Sequence, residues 1–211
     1  MTIGGVPMIV LDVAEGLWTV TIDRPEKANS LTGAMLSDLA GIAERAGKEG
    51  ARALILTGRG KVFSAGADLD EARAGLATSP VWERLSGALA ALPCLTVAAL
   101  NGTLAGGAFG MALACDLRIA VPEAKFFYPV MKLGFLPQPS DPSRLARLVG
   151  PARAKMILMA GTKATAEEAL AWGLIDRMVA AEDLADTAAT LAADALGAAR
   201  DHVAAIKAMI A

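Results

Sequence analysis

Two stretches of this chain are suited to holding a negatively charged oxygen. Residues 62–69 read Val-Phe-Ser-Ala-Gly-Ala-Asp-Leu, and residues 101–116 run from Asn101-Gly102 through Gly106-Gly107 to Cys115-Asp116. Each begins as a short apolar strand, passes through small residues and continues as a helix. At such a turn the first backbone N–H groups have no carbonyl partner within the helix, and they point outward at its positive dipole end. Alanine and glycine there let a ligand approach the main chain closely. Two such turns facing one pocket would present a pair of fixed donors to an oxyanion.

Groups able to move protons are fewer. Asp141 and Ser140 lie on the proline-rich stretch Pro137-Gln138-Pro139-Ser140-Asp141-Pro142. They read either as a cap for a helix opening at Pro142 or as an acid or base beside the turns. Tyr128, the one tyrosine, reads either as a core aromatic or as a donor to a substrate carboxylate or enolate. Asp68 and Glu71 suit helix capping. The single histidine, His202, is far in sequence from both turns and reads as a surface residue. A nucleophile built from Ser140, Asp141 and His202 has no strand–elbow context. Cys94 and Cys115 have no metal-type spacing and form no disulfide framework, which suits buried thiols in a reducing, cytoplasmic setting. There is no metal-ligand cluster, no phosphate-binding P-loop and no dinucleotide fingerprint; residues 102–107 do not fit GxGxxG.

The elements that must position these groups alternate. Residues 8–13 and 17–22 form a hairpin pattern around Ala14-Glu15-Gly16. A polar loop follows at 23–30, and Thr32 opens an amphipathic stretch with Met35, Leu36, Leu39, Ile42 and Ala43 on one face. Strands are expected at 53–57, 95–100, 117–121 and 125–127. Ser79-Pro80 opens a helix, with Ser as N-cap and Pro in the first turn. A helix is expected at 151–159, then a short one opened by the capping box Thr165-Ala166-Glu167-Glu168 and stopped by Gly173. A strand-like piece at 175–179 and helices at about 181–196 and 200–210 complete an α/β pattern.

At 211 residues and 55% hydrophobic content, the chain can bury a sizeable core. A net charge of −2 gives no global field for nucleic acid or an anionic membrane. The N-terminal residues 1–8 carry no signal-peptide pattern. Residues 94–115 lack a formal charge, but Asn101-Gly102 and Gly106-Gly107 break them into strand, turn and buried helix rather than a membrane span.

These segments, in this order, resemble the crotonase (enoyl-CoA hydratase/isomerase) superfamily. The stretch from Thr21-Ile22-Asp23-Arg24-Pro25 to Asn29-Ser30-Leu31 is similar to its RPxxxNxL loop, residues 56–69 to FxAGxDL, and 101–116 to NGxxxGGGxxLxxxCD. Gly150 to Ala154 and Ala169 to Ile175 are similar to two later landmarks, GxxxA and AxxxGLV, the second ending in Ile where the pattern has Val. The resemblance implies a ββα spiral of two stacked sheets over residues 1–150, with a shortened trailing helical region over 151–211. It also implies assembly as a homotrimer or hexamer. The chain stops some tens of residues before typical members, whose final helices often cover the acyl pocket.

Carried over residue by residue, the resemblance makes the N–H groups of Ala67 and Gly107 the oxyanion hole for an acyl-CoA thioester. Lys27, Ala28, Ala65, Asp68 and Leu69 would line the coenzyme A side, and Arg24 or Lys27 would meet phosphates. Coenzyme A enters as part of the substrate, and no separate cofactor or metal is expected. The chain departs from the pattern where hydratases keep two glutamates: Gly110 and Val130 stand there, Ala108 replaces the third glycine, and residues 137–142 replace a glycine-rich turn. Hydration needs two acid–base groups, so the expected reaction is a decarboxylation, isomerisation or thioester hydrolysis on an enolate. Asp141 and Tyr128 are the candidate acid–base residues. The alternative is an acyl-CoA-binding or scaffold subunit without turnover.

Overall fold

The computed structural model describes residues 8–210. The N-terminal stretch in which no signal peptide is expected thus lies, for residues 1–7, outside the described residues. Six strands form one sheet in the order β1 (Ile9–Ala14), β2 (Leu17–Ile22), β3 (Ala53–Gly58), β5 (Leu95–Leu100), β7 (Leu117–Ala120) and β10 (Arg177–Met178). Four form a second: β4 (Val62–Ser64), β6 (Thr103–Ala105), β8 (Lys125–Phe127) and β9 (Ala164–Thr165). β1 and β2 pair antiparallel across Glu15 and Gly16, both at positive φ, the conformation that a two-residue hairpin loop of matching twist requires. From β2 onward the first sheet is parallel, and its central strands are almost wholly buried, as helix-covered parallel strands are.

The helices are α1 (Gly33–Lys48), α2 (Leu69–Arg73), α3 (Val81–Ala90), α4 (Phe109–Ala114), α5 (Val130–Leu133), α6 (Asp141–Leu158), α7 (Ala166–Trp172), α8 (Leu184–Gly197) and α9 (Arg200–Ile210). Thr32 caps α1, its hydroxyl accepting from the Met35 N–H at 3.2 Å, and Met35, Leu36, Leu39 and Ala43 are buried as their spacing predicts. The capping box of α7 forms in both directions and Gly173 ends the helix at φ 80°. α3 begins a residue later than expected: Pro80 occupies its N-cap position, and the Ser79 hydroxyl accepts from Val81 N at 3.4 Å.

Two expectations shift. The helix expected at 151–159 begins at Asp141 and runs through a kink at Gly150, whose φ is 80°. Pro151 follows the kink, where its missing N–H costs no helical bond. The boundary between 150 and 151 falls on this kink, and one hydrophobic cluster contains Leu145 and Val149 before it and Ala154 and Ile157 after it. The strand-like piece at 175–179 shrinks to Arg177–Met178 at the sheet edge. Residues 94–115 divide into β5, β6 and α4, and among the described residues no helix is long and apolar enough to cross a membrane.

What matters for function is the second sheet. β4, β6 and β8 run parallel, so their C-terminal ends, and the turns that follow them, lie along one edge. Each of these segments carries a fully buried phenylalanine: Phe63 on β4, Phe109 at the start of α4 and Phe126 on β8. Burying such a side chain is worth about 1.5–3 kcal/mol, which pins the three turns to the core.

Candidate active site

The first turn follows β4. Ser64 is buried, and its hydroxyl donates to the Asn29 carbonyl at 2.8 Å while accepting from Gly66 N at 3.2 Å. Gly66 takes φ 92°, and a Cβ there would lie 2.9 Å from the Ala105 carbonyl oxygen and 3.3 Å from Gly106 Cα. The two turns therefore touch main chain to main chain, and glycine at 66 is what permits it. Leu31 pairs with Ala67 in a parallel bridge, with Leu31 N donating to Gly66 O and Asp68 N to Leu31 O, both at 2.8 Å. Ala67 and Gly107 are half-buried. Gly107 lies in the 3-10 turn Gly106–Ala108 that leads into α4, where the leading N–H groups have no partner within the helix.

Arg24, which with Lys27 is one of two residues expected to meet phosphates, bonds within the protein. Its guanidinium donates to Asp68 Oδ2 at 2.8 Å and to the Ser30 carbonyl at 3.1 Å, tying the 24–31 loop to the start of α2. Asp68 also caps α2, accepting from Asp70 N and Glu71 N, and the Arg24 bond holds its carboxyl below the usual carboxylate range. Its side chain is thus engaged within the protein. Glu71 accepts from Gly33 N at 2.6 Å. Lys27, Ala65 and Leu69 are exposed around the first turn, and Ala28 is half-buried with φ 51°. Asn29 is fully buried and donates to the carbonyls of Arg59 and Val62 at 2.9 and 2.7 Å. Asn101 does the same work at the second turn, accepting from Gly58 N at 3.0 Å and donating to Gly60 O at 2.8 Å.

The third turn follows β8 and brings Tyr128 and Val130, both buried, toward α4. Tyr128 stacks on Phe109 with ring centroids 5.4 Å apart. Its hydroxyl donates to Asp141 Oδ2 at 3.0 Å and accepts from Gln138 N at 3.4 Å. It is at once a core aromatic and a polar group in the site.

Asp141 does not serve as an exposed helix cap. It is 1% exposed, and the N-cap position of α6 belongs to Ser140, whose side chain makes no capping bond. The Ser140 hydroxyl instead donates to Glu83 Oε1 at 2.9 Å, as does its N–H at 3.1 Å. Glu83 on α3 thereby fixes the turn that delivers Asp141. A Cβ built on Gly110 would lie 2.8 Å from Asp141 Oδ1: the carboxylate occupies the space that any side chain at 110 would enter. Oδ1 itself has no hydrogen-bond partner among the described residues. Burial, reinforced by the charge of Glu83, pushes the Asp141 carboxyl up to about 7 despite the Tyr128 bond and the positive Arg144. Burial also raises the Tyr128 phenol above its ordinary range.

Residues without an obvious sequence signal complete the wall. Trp82 packs against the second turn, its ring 3.3 Å from where a Gly107 Cβ would stand, and its indole N–H donates to Leu76 O at 2.8 Å. Gln138 Nε2 donates to Ala77 O at 3.0 Å, fastening the 134–140 segment to the loop before α3. Neither Trp82 nor Glu83 carries a motif; a helix face turned toward the second turn would have been the signal.

Other candidates lie apart. His202 is exposed on α9, and it does not join Ser140 and Asp141. Cys94 and Cys115 are buried, and burial pushes their thiols up to about 11 and about 12, which keeps them protonated at neutral pH. Among the described residues no group of three His, Cys, Asp or Glu side chains is arranged to hold a metal ion.

The enoyl-CoA hydratase/isomerase family model matches residues 12–211. A Mycobacterium tuberculosis protein named probable enoyl-CoA hydratase EchA6 is 36% identical over 185 residues, covering 88% of this chain and 76% of the relative. The 1,2-epoxyphenylacetyl-CoA isomerase of Escherichia coli is 36% identical over 194 residues, covering 87% and 74%. The crystal structure of enoyl-CoA hydratase from Bacillus anthracis superimposes with a TM-score of 0.88 at 32% identity, covering 97% of this chain and 82% of that one.

Proposed function

The chain belongs to the enoyl-CoA hydratase/isomerase family, and from that premise we propose that it moves a proton along the acyl group of a coenzyme A thioester, with Asp141 as its acid–base group. The observation that carries this reading is the buried Asp141 carboxylate, whose unpartnered Oδ1 fills the space beside Gly110. Gly110 stands three residues after Gly107, in the helix α4 that the 3-10 turn Gly106–Ala108 leads into, so an acyl group held at Gly107 passes close to that oxygen.

The chemistry follows from the geometry. The thioester oxygen accepts from Ala67 N–H and Gly107 N–H. Asp141 removes a proton from the carbon next to the carbonyl or from its vinylogous neighbour, and the electron pair moves onto the thioester oxygen. The two N–H groups are fixed before reaction, which makes them worth several kcal/mol to the enolate. Protonated Asp141 then returns the proton to the other carbon, completing an isomerisation. A carboxyl poised at about 7 is suited to both halves of this exchange at neutral pH. Hydration of the two-glutamate kind lacks its second group, because Val130 is apolar and buried.

Exposed Lys27, Ala65 and Leu69, together with Ala28, supply the coenzyme A side in this reading. A substrate reaches Asp141 by displacing the segment that Gln138 fastens to Ala77.

The test is conversion of a 3-enoyl-CoA to its conjugated 2-isomer, followed by absorbance, alongside deuterium incorporation from D2O. Asp141→Asn should slow both by about 10²–10⁴-fold and leave thioester affinity nearly unchanged. An undiminished rate would remove Asp141 from the mechanism. Gly110 and Val130, neither able to titrate, favour a second reading: acyl-CoA binding without turnover. Tight binding by a wild type that neither isomerises nor exchanges would select it.

A further inference from the structure

Two buried side-chain polar atoms lack a hydrogen-bond partner among the described residues: Asp141 Oδ1 and Arg144 Nη1. They are three residues apart on α6, hence neighbours on one helix face, and the charge of Arg144 is felt by the Asp141 carboxyl. One is an acceptor and the other a donor. Left unmade, such a buried group costs about 1–3 kcal/mol or more; Asp141 Oδ1 is the oxygen assigned the proton above, and the Arg144 donor beside it points to a ligand group that accepts from it.

Arg144 also lines a cleft of about 820 Å³ between α4, α6, α8 and α9. That volume is within the range of small-molecule sites. Its walls are largely apolar, with Leu113, Leu148, Val203 and Ile206 contributing. Two of its cations are already neutralised, Arg118 by Asp176 and Lys207 by Asp116. Arg144 and Arg147 have no carboxylate within 4.0 Å among the described residues; of the two carboxylates in the lining, Asp116 is the one paired with Lys207, and Asp194 has no ion pair among the described residues. The cleft starts where α4 ends, and α4, whose N-terminal side carries Gly107 and Gly110, has six residues, about 9 Å at the helical rise. Arg144 stands about one helical turn along α6 from Asp141, the carboxylate that borders Gly110.

We infer that the preferred thioester carries a carboxylate on its acyl group, a few carbons beyond the reacting carbon, and that Arg144 is its counter-ion. The inference rests on the proposed function and names its substrate class: coenzyme A monothioesters of dicarboxylic acids. A guanidinium matches a carboxylate in geometry and charge. The apolar walls accommodate the methylenes between the two ends, and they exclude the water that would weaken the pair.

Adipyl-CoA and hexanoyl-CoA differ only in that terminal group and are the probes. Calorimetry on the full chain should show adipyl-CoA binding about 10–100-fold more tightly, the worth of a hydrogen bond to a charged group. In Arg144→Met the two thioesters should bind alike. Equal affinities in the wild type would overturn the inference, whatever fills the cleft, a second copy of the chain included. So would a preference that survives in a folded Arg144→Met, whether or not Arg147→Met abolishes it. The wild-type comparison decides the matter without any variant. If neither thioester binds at all, the acyl-CoA reading fails and the inference fails with it. Binding of both without preference refutes the inference alone.

Discussion

Replacing Asp141 with Asn should stabilise this protein at alkaline pH while removing its proton transfer. The carboxyl titrates near 3.8 when unfolded and at about 7 in the folded chain. A group whose folded pKa is raised binds its proton more tightly in the native state. The stability it confers is therefore fully present below pH 3.8, falls as pH rises, and is lost once pH passes about 7. Above that point ionised Asp141 costs the fold about 4 kcal/mol relative to a neutral group, at about 1.4 kcal/mol per pH unit. Most of the change lies between pH 5 and pH 8, where linkage gives about 2–3 kcal/mol. Asn has nearly the same shape and keeps an oxygen to accept the Tyr128 hydroxyl, but it does not titrate.

The assay is urea unfolding of wild type and Asp141→Asn at pH 5 and pH 8. The variant should gain on the wild type by about 2–3 kcal/mol between the two pH values, a shift in melting temperature of about 5–10 °C for a chain of this length. Using the difference between pH values cancels any fixed cost of the amide. A gap that stays constant from pH 5 to pH 8 would refute the reasoning, because it would mean that Asp141 ionises as easily in the fold as in water.

Gly110→Ala tests the crowding directly: a Cβ 2.8 Å from Asp141 Oδ1 must displace the carboxylate, so turnover should fall at least tenfold in steady-state kinetics. The clash cost of about 1–3 kcal/mol is partly offset by the 0.5–1 kcal/mol that alanine gains over glycine in a helix. Gly107→Pro removes the N–H proposed as an oxyanion donor and distorts its turn, and calorimetry should show weakened thioester binding. Glu83→Gln removes the negative charge that helps raise the Asp141 carboxyl while keeping an acceptor for Ser140, so the midpoint of the pH–rate profile should move to lower pH. Crotonyl-CoA hydration by the wild type should be negligible beside the proposed isomerisation, measured by loss of enoyl absorbance.

The sheets, the amphipathic face of α1, the capping box of α7 and the paired turns were all legible because local patterns encode them. Period-two and period-3.6 apolar spacing, Thr32, Thr165 with Glu168, and the glycines at 66 and 107 each report on a few neighbouring residues. The partners of Asp141 were not legible, because they come from three distant segments. Glu83 reaches it from α3 through Ser140, Tyr128 from the end of β8, and Gly110 from α4. The resemblance offers Arg24 or Lys27 for phosphates, but it carries no sign of the Arg24–Asp68 bond, whose partners are 44 residues apart. Chain distance hid that pair.

Gly110 and the residues 137–142 read in sequence as two separate departures, a lost glutamate and an altered turn. In space they are one feature. A glutamate at 110 and an aspartate at 141 would compete for the same volume, since even a Cβ at 110 meets Oδ1. The glycine is therefore what admits the aspartate. The carboxylate now comes from the first turn of α6 rather than from α4, with Tyr128 and the Glu83–Ser140 bonds fixing its position. This explains why restoring glutamate at 110 alone should not add a hydratase's acid–base group: it would evict the one present. A paired change has the opposite expectation. With Gly110→Glu and Asp141→Gly together, the new carboxylate enters from α4 into space the old one has left. It should recover part of the proton-transfer rate lost in Asp141→Gly alone, measured as deuterium incorporation into the acyl chain. Failure of the double variant to exceed the single one, with both folded, would show that the volume beside Gly110 is not where the proton is handled.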